Sequence, residues 1–295
     1  MTIRTFLTAS RLPAQLFIFP SILLGHALHV HFQGGVHTPT VALTLAAGFA
    51  LHLFIVFAND VADAESDRQN HTPTPFSGGS RVLIEGHADE KALKIAAGAA
   101  GTAALAIGLI ITLMAASPLP LIAVLIGMGL LQAYSFSPVR LSYRGFGETL
   151  QVAGVGIVLP LFAFLSQGNP LSTIPPLPIV ALLPAQFALA MATALPDEPA
   201  DRRTQKRTSA VILGVRTAKF MIPALLLIGG LFIGQINGSV LANLWPFIFL
   251  PAAAVAIGAC LPLRAGSRAM VAFVGMSILA VTLQVLSTAW SFYVL

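Results

Sequence analysis

The chain has 295 residues, 56% of them hydrophobic and only 9% charged, with a formal net charge of +5. A water-soluble domain carries about 25% charged residues, so a soluble globular fold is excluded and an integral membrane protein is expected. The single cysteine, Cys260, excludes an internal disulfide and a multi-cysteine metal site.

Crossing the hydrocarbon core takes roughly 20 apolar residues per helix. Nine such runs follow one another at residues 11–31, 40–60, 91–114, 119–137, 149–166, 177–196, 217–236, 241–261 and 268–291. The first lacks an A-x-A-like cleavage pattern and reads as a retained span. Strands of a membrane barrel would alternate over about 10 residues, and these runs do not. The expected fold is all-α and polytopic, with nine transmembrane helices around a central cavity, in a single membrane-embedded domain over residues 1–295.

All 16 Lys and Arg residues fall at the N-terminus or in the even-numbered connections. The other connections, "HVHFQGGVHTPT", "AASPLP", "SQGNPLSTIPP" and "GQINGSVLAN", carry none. The positive-inside rule then puts the N-terminus and the charged loops in the cytoplasm and the C-terminus outside, as expected for a multi-pass protein of the cytoplasmic (inner) membrane. The 11 acidic residues share the same side. Positive charge therefore reflects topology and contact with the lipid bilayer, and lends no support to nucleic-acid binding.

Two charged connections, 61–90 and 197–216, are long, and each opens with acidic residues after an even-numbered helix. This recurrence predicts two pseudo-repeated four-helix halves plus a ninth helix, with the two acidic loops facing each other across the cavity.

The first loop begins "FANDVADAESD". Asp60, Asp63 and Asp67 are spaced i, i+3, i+7, which brings them within roughly 60° of one another on a helix. Carboxylates stacked in this way raise one another's pKa unless a cation lies between them. Two readings are open: a solvated helix end paired with Arg68, or a site for a hard divalent cation such as Mg²⁺, held by carboxylates together with substrate phosphates. In the second loop, "PDEPADRRTQKRT", Asp197 and Asp201 are i, i+4, and Asp197 is placed to cap a short helix with Pro199 in its first turn. Lys206 and Arg207 follow. Two sets of carboxylates beside basic residues suit a metal-bridged diphosphate, although some of Arg202, Arg203, Lys206 and Arg207 are expected to face lipid headgroups.

Between the motifs, Gly78 and Gly79 could present backbone N–H groups as an anion nest beside Ser80 and Arg81, or form a flexible loop. Tyr134 closes the fourth span and is followed by Arg140 and Arg144. It could be a wall of the site or an interfacial anchor. His29, His31 and His37 read as interfacial histidines in preference to a metal site. His52, two turns deeper than Asn59 on the same helix face, reads as a neutral histidine bonded between helices, though an ionisable residue at that depth is also a functional candidate.

"NDVADAESD" resembles the N-D-x-x-D-x-x-x-D motif of the UbiA superfamily of intramembrane prenyltransferases, on Asn59, Asp60, Asp63 and Asp67. "PDEPADRRTQKRT" resembles the second motif, D-x-x-x-D, on Asp197 and Asp201, with the following K-R-T on Lys206, Arg207 and Thr208. "SGGSRVLIEG" and "SPVRLSYRGFGE" look most like the branch that prenylates 1,4-dihydroxy-2-naphthoate in menaquinone biosynthesis. The R-P pair of the 4-hydroxybenzoate branch is absent, and Gln205 stands where the naphthoate branch commonly has Gly. The resemblance implies a Mg²⁺-dependent transferase that joins a polyprenyl diphosphate to an aromatic acceptor. Asp60, Asp63, Asp67, Asp197 and Asp201 would be metal ligands, and Asp63 or Asp67 the catalytic base. Asn59, Arg81, Tyr134, Arg140 and Lys206 would bind substrate. The rival from another class is an ion-coupled transporter, which needs acids at mid-membrane. The acids here sit at helix ends. A CDP-alcohol phosphatidyltransferase would need a D-G-x-x-A-R-type motif, which is absent.

Overall fold

The computed structural model describes residues 1–241 and 244–294, and the side chains of 1–236 and 244–294. The described chain runs through fourteen α-helical segments and no strand. A short α1 (Ile3–Ala9) leads through a tight turn into α2 (Gln15–Gln33), then α3 (Thr38–Ala62) and a five-residue α4 (Ala64–Arg68). Next come α5 (Glu90–Ala115) and α6 (Leu119–Ser135). A continuous stretch follows, made of α7 (Gly147–Val152), a π-helical turn and α8 (Leu159–Leu165). After α9 (Pro176–Ala194), α10 (Glu198–Arg203) and α11 (Ser209–Leu213) are short, and α12 (Val215–Leu241), α13 (Trp245–Ala259) and α14 (Arg268–Tyr293) complete the fold.

Local chemistry sets several of these ends. The Asp89 carboxylate accepts from the Ala92 N–H at 2.6 Å and starts α5, and the Ser267 hydroxyl accepts from Met270 N–H at 3.2 Å and starts α14. The π-helical turn covers Ala153–Val158. Pro160 lacks the N–H that an α-helix would offer to the Gly156 carbonyl, and two glycines in the turn let the backbone widen instead.

Among the described residues, seven helical stretches are long and apolar enough to cross a membrane. The expectation of nine such spans is corrected in two places, because α6 and α13 are shorter, with 17 and 15 residues. At about 1.5 Å per residue they fall below the roughly 30 Å of a hydrocarbon core. α6 is confined between Pro118 and Phe136, whose backbone turns extended. The start expected for the eighth span, at residue 241, and the "GQINGSVLAN" connection fall partly outside the described residues.

The helices form a ring. α3 packs along α5 and α9 along α12, each pair joined by one of the two long acidic loops, and α14 closes the ring against α2, α9, α12 and α13. Close crossings rest on glycine, as expected for helices in lipid. A Cβ at Gly25 of α2 would overlap the Pro160 carbonyl of α8.

The three histidines near the far ends of α2 and α3 do not converge. His29 bonds Asn169, His31 stacks edge-on with Phe32 and Phe292, and His37 bonds Thr40.

Candidate active site

A cavity of about 750 Å³ opens among α2, α3, α6, the π-helical turn and α14. Most of its wall is apolar, with Phe17 and Ile18 from α2, Leu51 and Ile55 from α3, Leu130 from α6, Val155 and Val158 from the π-helical turn and Ile278 from α14. One end is polar and carries Arg11, Asn59, Asp63, Asp67, Ser80, Arg81, Tyr134, Asp197 and Lys206.

The first motif breaks its helix where the chemistry begins. α3 ends at Ala62, and Asp63 (φ −97°, ψ 9°) joins it to α4. The three acids therefore do not share one continuous face. Asp63 and Asp67 line the cavity, whereas Asp60 is not among its lining residues. Asp60 is buried, pairs with the Arg11 guanidinium, and accepts from the Ser80 hydroxyl and the Ser80 N–H, the latter at 3.2 Å. Asn59 lines the cavity, and its Oδ1 accepts from Ser135 at 2.8 Å, which ties α3 to α6.

The second motif meets the first. Asp197 occupies the N-cap position of α10 with a proline in the first turn, as expected, but its side chain does not cap. It accepts instead from Asn70 Nδ2 at 2.6 Å and Gly78 N–H at 3.3 Å. Asp201 takes the Thr208 hydroxyl at 3.2 Å and, like Asp60, is not among the lining residues. The Gly78–Ser80 segment does present N–H groups to anions, and in the structure those anions are the protein's own carboxylates, Asp197 and Asp60. Glycine is required there: Gly78 and Gly79 have φ of 78° and 71°, and a Cβ on Gly79 would overlap the Asp67 carboxylate.

Lys206 lies between the motifs. Its ammonium donates to Asp63 Oδ2 at 2.9 Å and sits 5.7 and 5.8 Å from the Tyr134 and Tyr143 ring centres. Burial alone would pull this ammonium down, but Asp63, with Tyr134 and Asp201 behind it, holds it well above the ordinary lysine range. Burial pushes Asp67 up to about 7, against the pull of Arg11 and with the push of Asp63 and Asp60. Arg81 lines the cavity, and its Nη1 braces the Asp67 and Asn70 carbonyls at 2.8 and 3.3 Å. Arg140 is not among the lining residues; it lies 3.7 Å over the Tyr143 ring and reaches the site only through it.

Strain gathers at this end. Among the described residues five non-glycine positions have left-handed φ, and Arg11, Arg81, Arg140 and Gln205 all belong to the loops around the polar pocket. Gln205 has a φ of 60°, a conformation that glycine would adopt without strain.

Sequence reasoning missed Arg11, Asn70, Ser80 as an Asp60 ligand, and Tyr143. Arg11 carried one clue, a basic residue next to the first span with no acid nearby in sequence. The others depend on how two loops dock, through Ser66 with Thr204 at 3.3 Å and Arg203 with the Gln69 carbonyl at 2.9 Å.

Among the described residues no three His, Cys, Asp or Glu side chains are grouped to hold a metal, and two acids of the first motif are paired with Arg11 and Lys206. The donor chemistry nonetheless suits a hard divalent ion. Asp63 Oδ1 is buried without a hydrogen-bond partner, and Asp67 and Asp197 line the same pocket.

The family model of the UbiA prenyltransferase family matches residues 18–269. Among solved structures, a UbiA homolog from Archaeoglobus fulgidus bound to GPP and Mg²⁺ superposes with a TM-score of 0.66 at 17% identity, covering 96% of this chain and 99% of that one. An apo UbiA homolog from Aeropyrum pernix K1 gives 0.65 at 16% identity, covering 91% and 95%. A structure of digeranylgeranylglyceryl phosphate synthase gives 0.60 at 15% identity, covering 99% of both chains. No curated protein matches the chain by sequence.

Proposed function

The chain belongs to the UbiA prenyltransferase family, and from that premise we propose that it transfers a polyprenyl group from a polyprenyl diphosphate to an aromatic acceptor, 1,4-dihydroxy-2-naphthoate of menaquinone biosynthesis. The observation that carries this reading is one cavity with carboxylates and cations at one end and an apolar wall along the rest. A prenyl diphosphate has the same division, an anionic head on a hydrocarbon tail.

Each residue then has a task. Lys206, Arg11 and Arg81 supply positive charge where the diphosphate gains charge as its C–O bond breaks. Asn59 and Tyr134 form the wall beside them, Tyr143 stands behind it 5.8 Å from the Lys206 ammonium, and Arg140 orients Tyr143. Asp63 and Asp197, one from each motif, are the residues that would hold Mg²⁺, with Asp60 and Asp201 fixed behind them. The choice of Mg²⁺ is supported by the relative from A. fulgidus that was solved with GPP and Mg²⁺. When bound, the ion supplies neutralising charge to the leaving diphosphate. The apolar wall keeps water from the allylic cation. The electron-rich ring carbon attacks that cation, forms the new C–C bond, and loses carbon dioxide to restore aromaticity. Asp67, titrating near neutrality, suits acceptance of the acceptor's hydroxyl proton. The charge pattern of the loops supports a cytoplasmic-membrane location with this end of the bundle inside.

The test is direct. Purified protein is incubated with a prenyl diphosphate and either 1,4-dihydroxy-2-naphthoate or 4-hydroxybenzoate, with Mg²⁺ or with EDTA, and products are read by mass spectrometry. A decarboxylated prenyl-naphthoquinol formed only with metal is expected. Prenylation of 4-hydroxybenzoate alone would reassign the acceptor, and no prenylated aromatic in any arm would overturn the reading.

A further inference from the structure

His52 lies in the wall of the cavity, buried, seven residues before Asn59 in α3. Its Nε2 is 2.9 Å from the Ser10 carbonyl oxygen. A carbonyl can only accept, so Nε2 carries the proton. Ser10 is also held from the other side, its N–H and its hydroxyl both donating to the Phe6 carbonyl, at 2.9 and 2.7 Å. The next residue, Arg11, takes a left-handed conformation (φ 43°, ψ 49°), which a side chain with a Cβ adopts only when its surroundings hold it there. From that turn the guanidinium reaches Asp60 and lies against Gly79, and its Nε is buried without a partner.

We propose that His52 is a positioning residue: through the Ser10 carbonyl it locks the Ser10–Arg11 turn and so stands the Arg11 guanidinium at the polar end of the cavity, ready for a diphosphate. This rests on the prenyl-diphosphate reading given above. A histidine that merely filled space in an apolar wall would be replaceable by phenylalanine without consequence. A histidine that touched the prenyl tail would act independently of Arg11.

The experiment is a double-mutant cycle read by calorimetric binding of inorganic diphosphate with Mg²⁺ to the purified full-length protein, a probe without a tail. His52→Phe should weaken binding by about tenfold, the scale of one charge-assisted contact. His52→Gln, which keeps an N–H donor, should recover most of that loss. Arg11→Gln alone should weaken binding as much, and adding His52→Phe to it should change nothing further. Equal effects of His52→Phe with and without Arg11, no effect in either background, or a Gln variant as weak as the Phe variant would each overturn the proposal. Should His52→Phe not fold, His52→Met carries the same comparison. A wild-type protein that binds no Mg²⁺–diphosphate would sink the prenyltransferase reading itself, whereas normal binding with an additive cycle would sink only the role of His52.

Discussion

Two polar clusters are buried at opposite ends of the helix ring, and they are built on different terms. At the end where α2 finishes and α3 begins, His26 bonds Thr44 at 2.7 Å and Gln167 at 3.1 Å, Gln167 also accepts from the His37 N–H at 3.0 Å, and Asn169 bonds His29 at 2.8 Å and the Phe164 carbonyl at 2.7 Å. Every group in those bonds is an amide, a hydroxyl, a carbonyl or an imidazole whose bonds assign one proton. At the other end the members are ionic, and Asp63 Oδ1 and Arg11 Nε are buried with no hydrogen-bond partner. A satisfied neutral network fixes how helices pack. A charged one with spare atoms beside a cavity is incomplete until something binds. Histidines in a membrane helix thus mark structure at one end, while carboxylates mark chemistry at the other.

The sharpest way to break this contrast is to neutralise one acid from each motif. Asp63→Asn and Asp197→Asn should each lower kcat by about 10²–10³-fold, the scale seen when a preorganised electrostatic group is removed, and the double variant should lose less than the product because both serve one ion. Steady-state turnover with one prenyl diphosphate and one acceptor reads this out. Wild-type rates in either variant would mean that the polar end is as structural as the far end.

Lys206 tests whether the cations are placeholders. It neutralises Asp63 at 2.9 Å, so a metal arriving alone must displace it. Lys206→Met should therefore bind Mg²⁺ alone more tightly than wild type in calorimetry. Its turnover should fall by roughly 30–800-fold, corresponding to about 2–4 kcal/mol of lost leaving-group stabilisation. Weaker metal binding in the variant would show that Lys206 organises the carboxylates rather than competing for them.

How much of this was legible beforehand follows from what each feature depends on. Asp63, Asp67 and Asp197 could be picked out because clustered charge is a local property, although the continuous helix assumed by the spacing of the first motif is broken at Asp63. The helices were readable from apolar run length, except where Pro118 and the extended Phe136 cut α6 to 17 residues. Arg11 was not readable as an Asp60 partner, since 49 residues separate them and the contact needs a left-handed turn that sequence does not announce. The same applies to Asn70 with Asp197, 127 residues apart. Placement of Asp60 and Asp201 behind the cavity wall could not be seen from spacing, which gives the face of a helix and not what packs against it.

At the far end the prediction inverts. Asn169→Leu removes the donor to both His29 and the Phe164 carbonyl; the carbonyl keeps the Gln167 N–H at 3.3 Å, so the buried His29 ring nitrogen is the acceptor left unsatisfied. The cost should be about 1–3 kcal/mol for that group, visible as a lower thermal midpoint in detergent. Turnover at a temperature where the variant is folded should stay within about twofold, because additivity holds for distant sites. A large loss of kcat without loss of stability would couple the two ends and undo the division between them.

The smallest effect is expected at Arg140, and it bears on where the active site ends. Sequence pattern groups Arg140 with the substrate-binding residues, yet its guanidinium lies 3.7 Å over the Tyr143 ring and Arg140 is not among the residues lining the cavity. Its influence must pass through that ring, which stands 5.8 Å from the Lys206 ammonium. A cation–π contact of this partly exposed kind is worth about 0.5–1 kcal/mol. Arg140→Gln should therefore reduce kcat/KM by about two- to fivefold, and Tyr143→Leu should produce a similar loss that Arg140→Gln does not deepen. Kinetics of the two single variants and the double variant decide the matter. A KM for prenyl diphosphate raised more than tenfold by Arg140→Gln alone would mean that this arginine touches the diphosphate directly, and the charged end of the cavity would then extend past Tyr143 into the loop that follows α6.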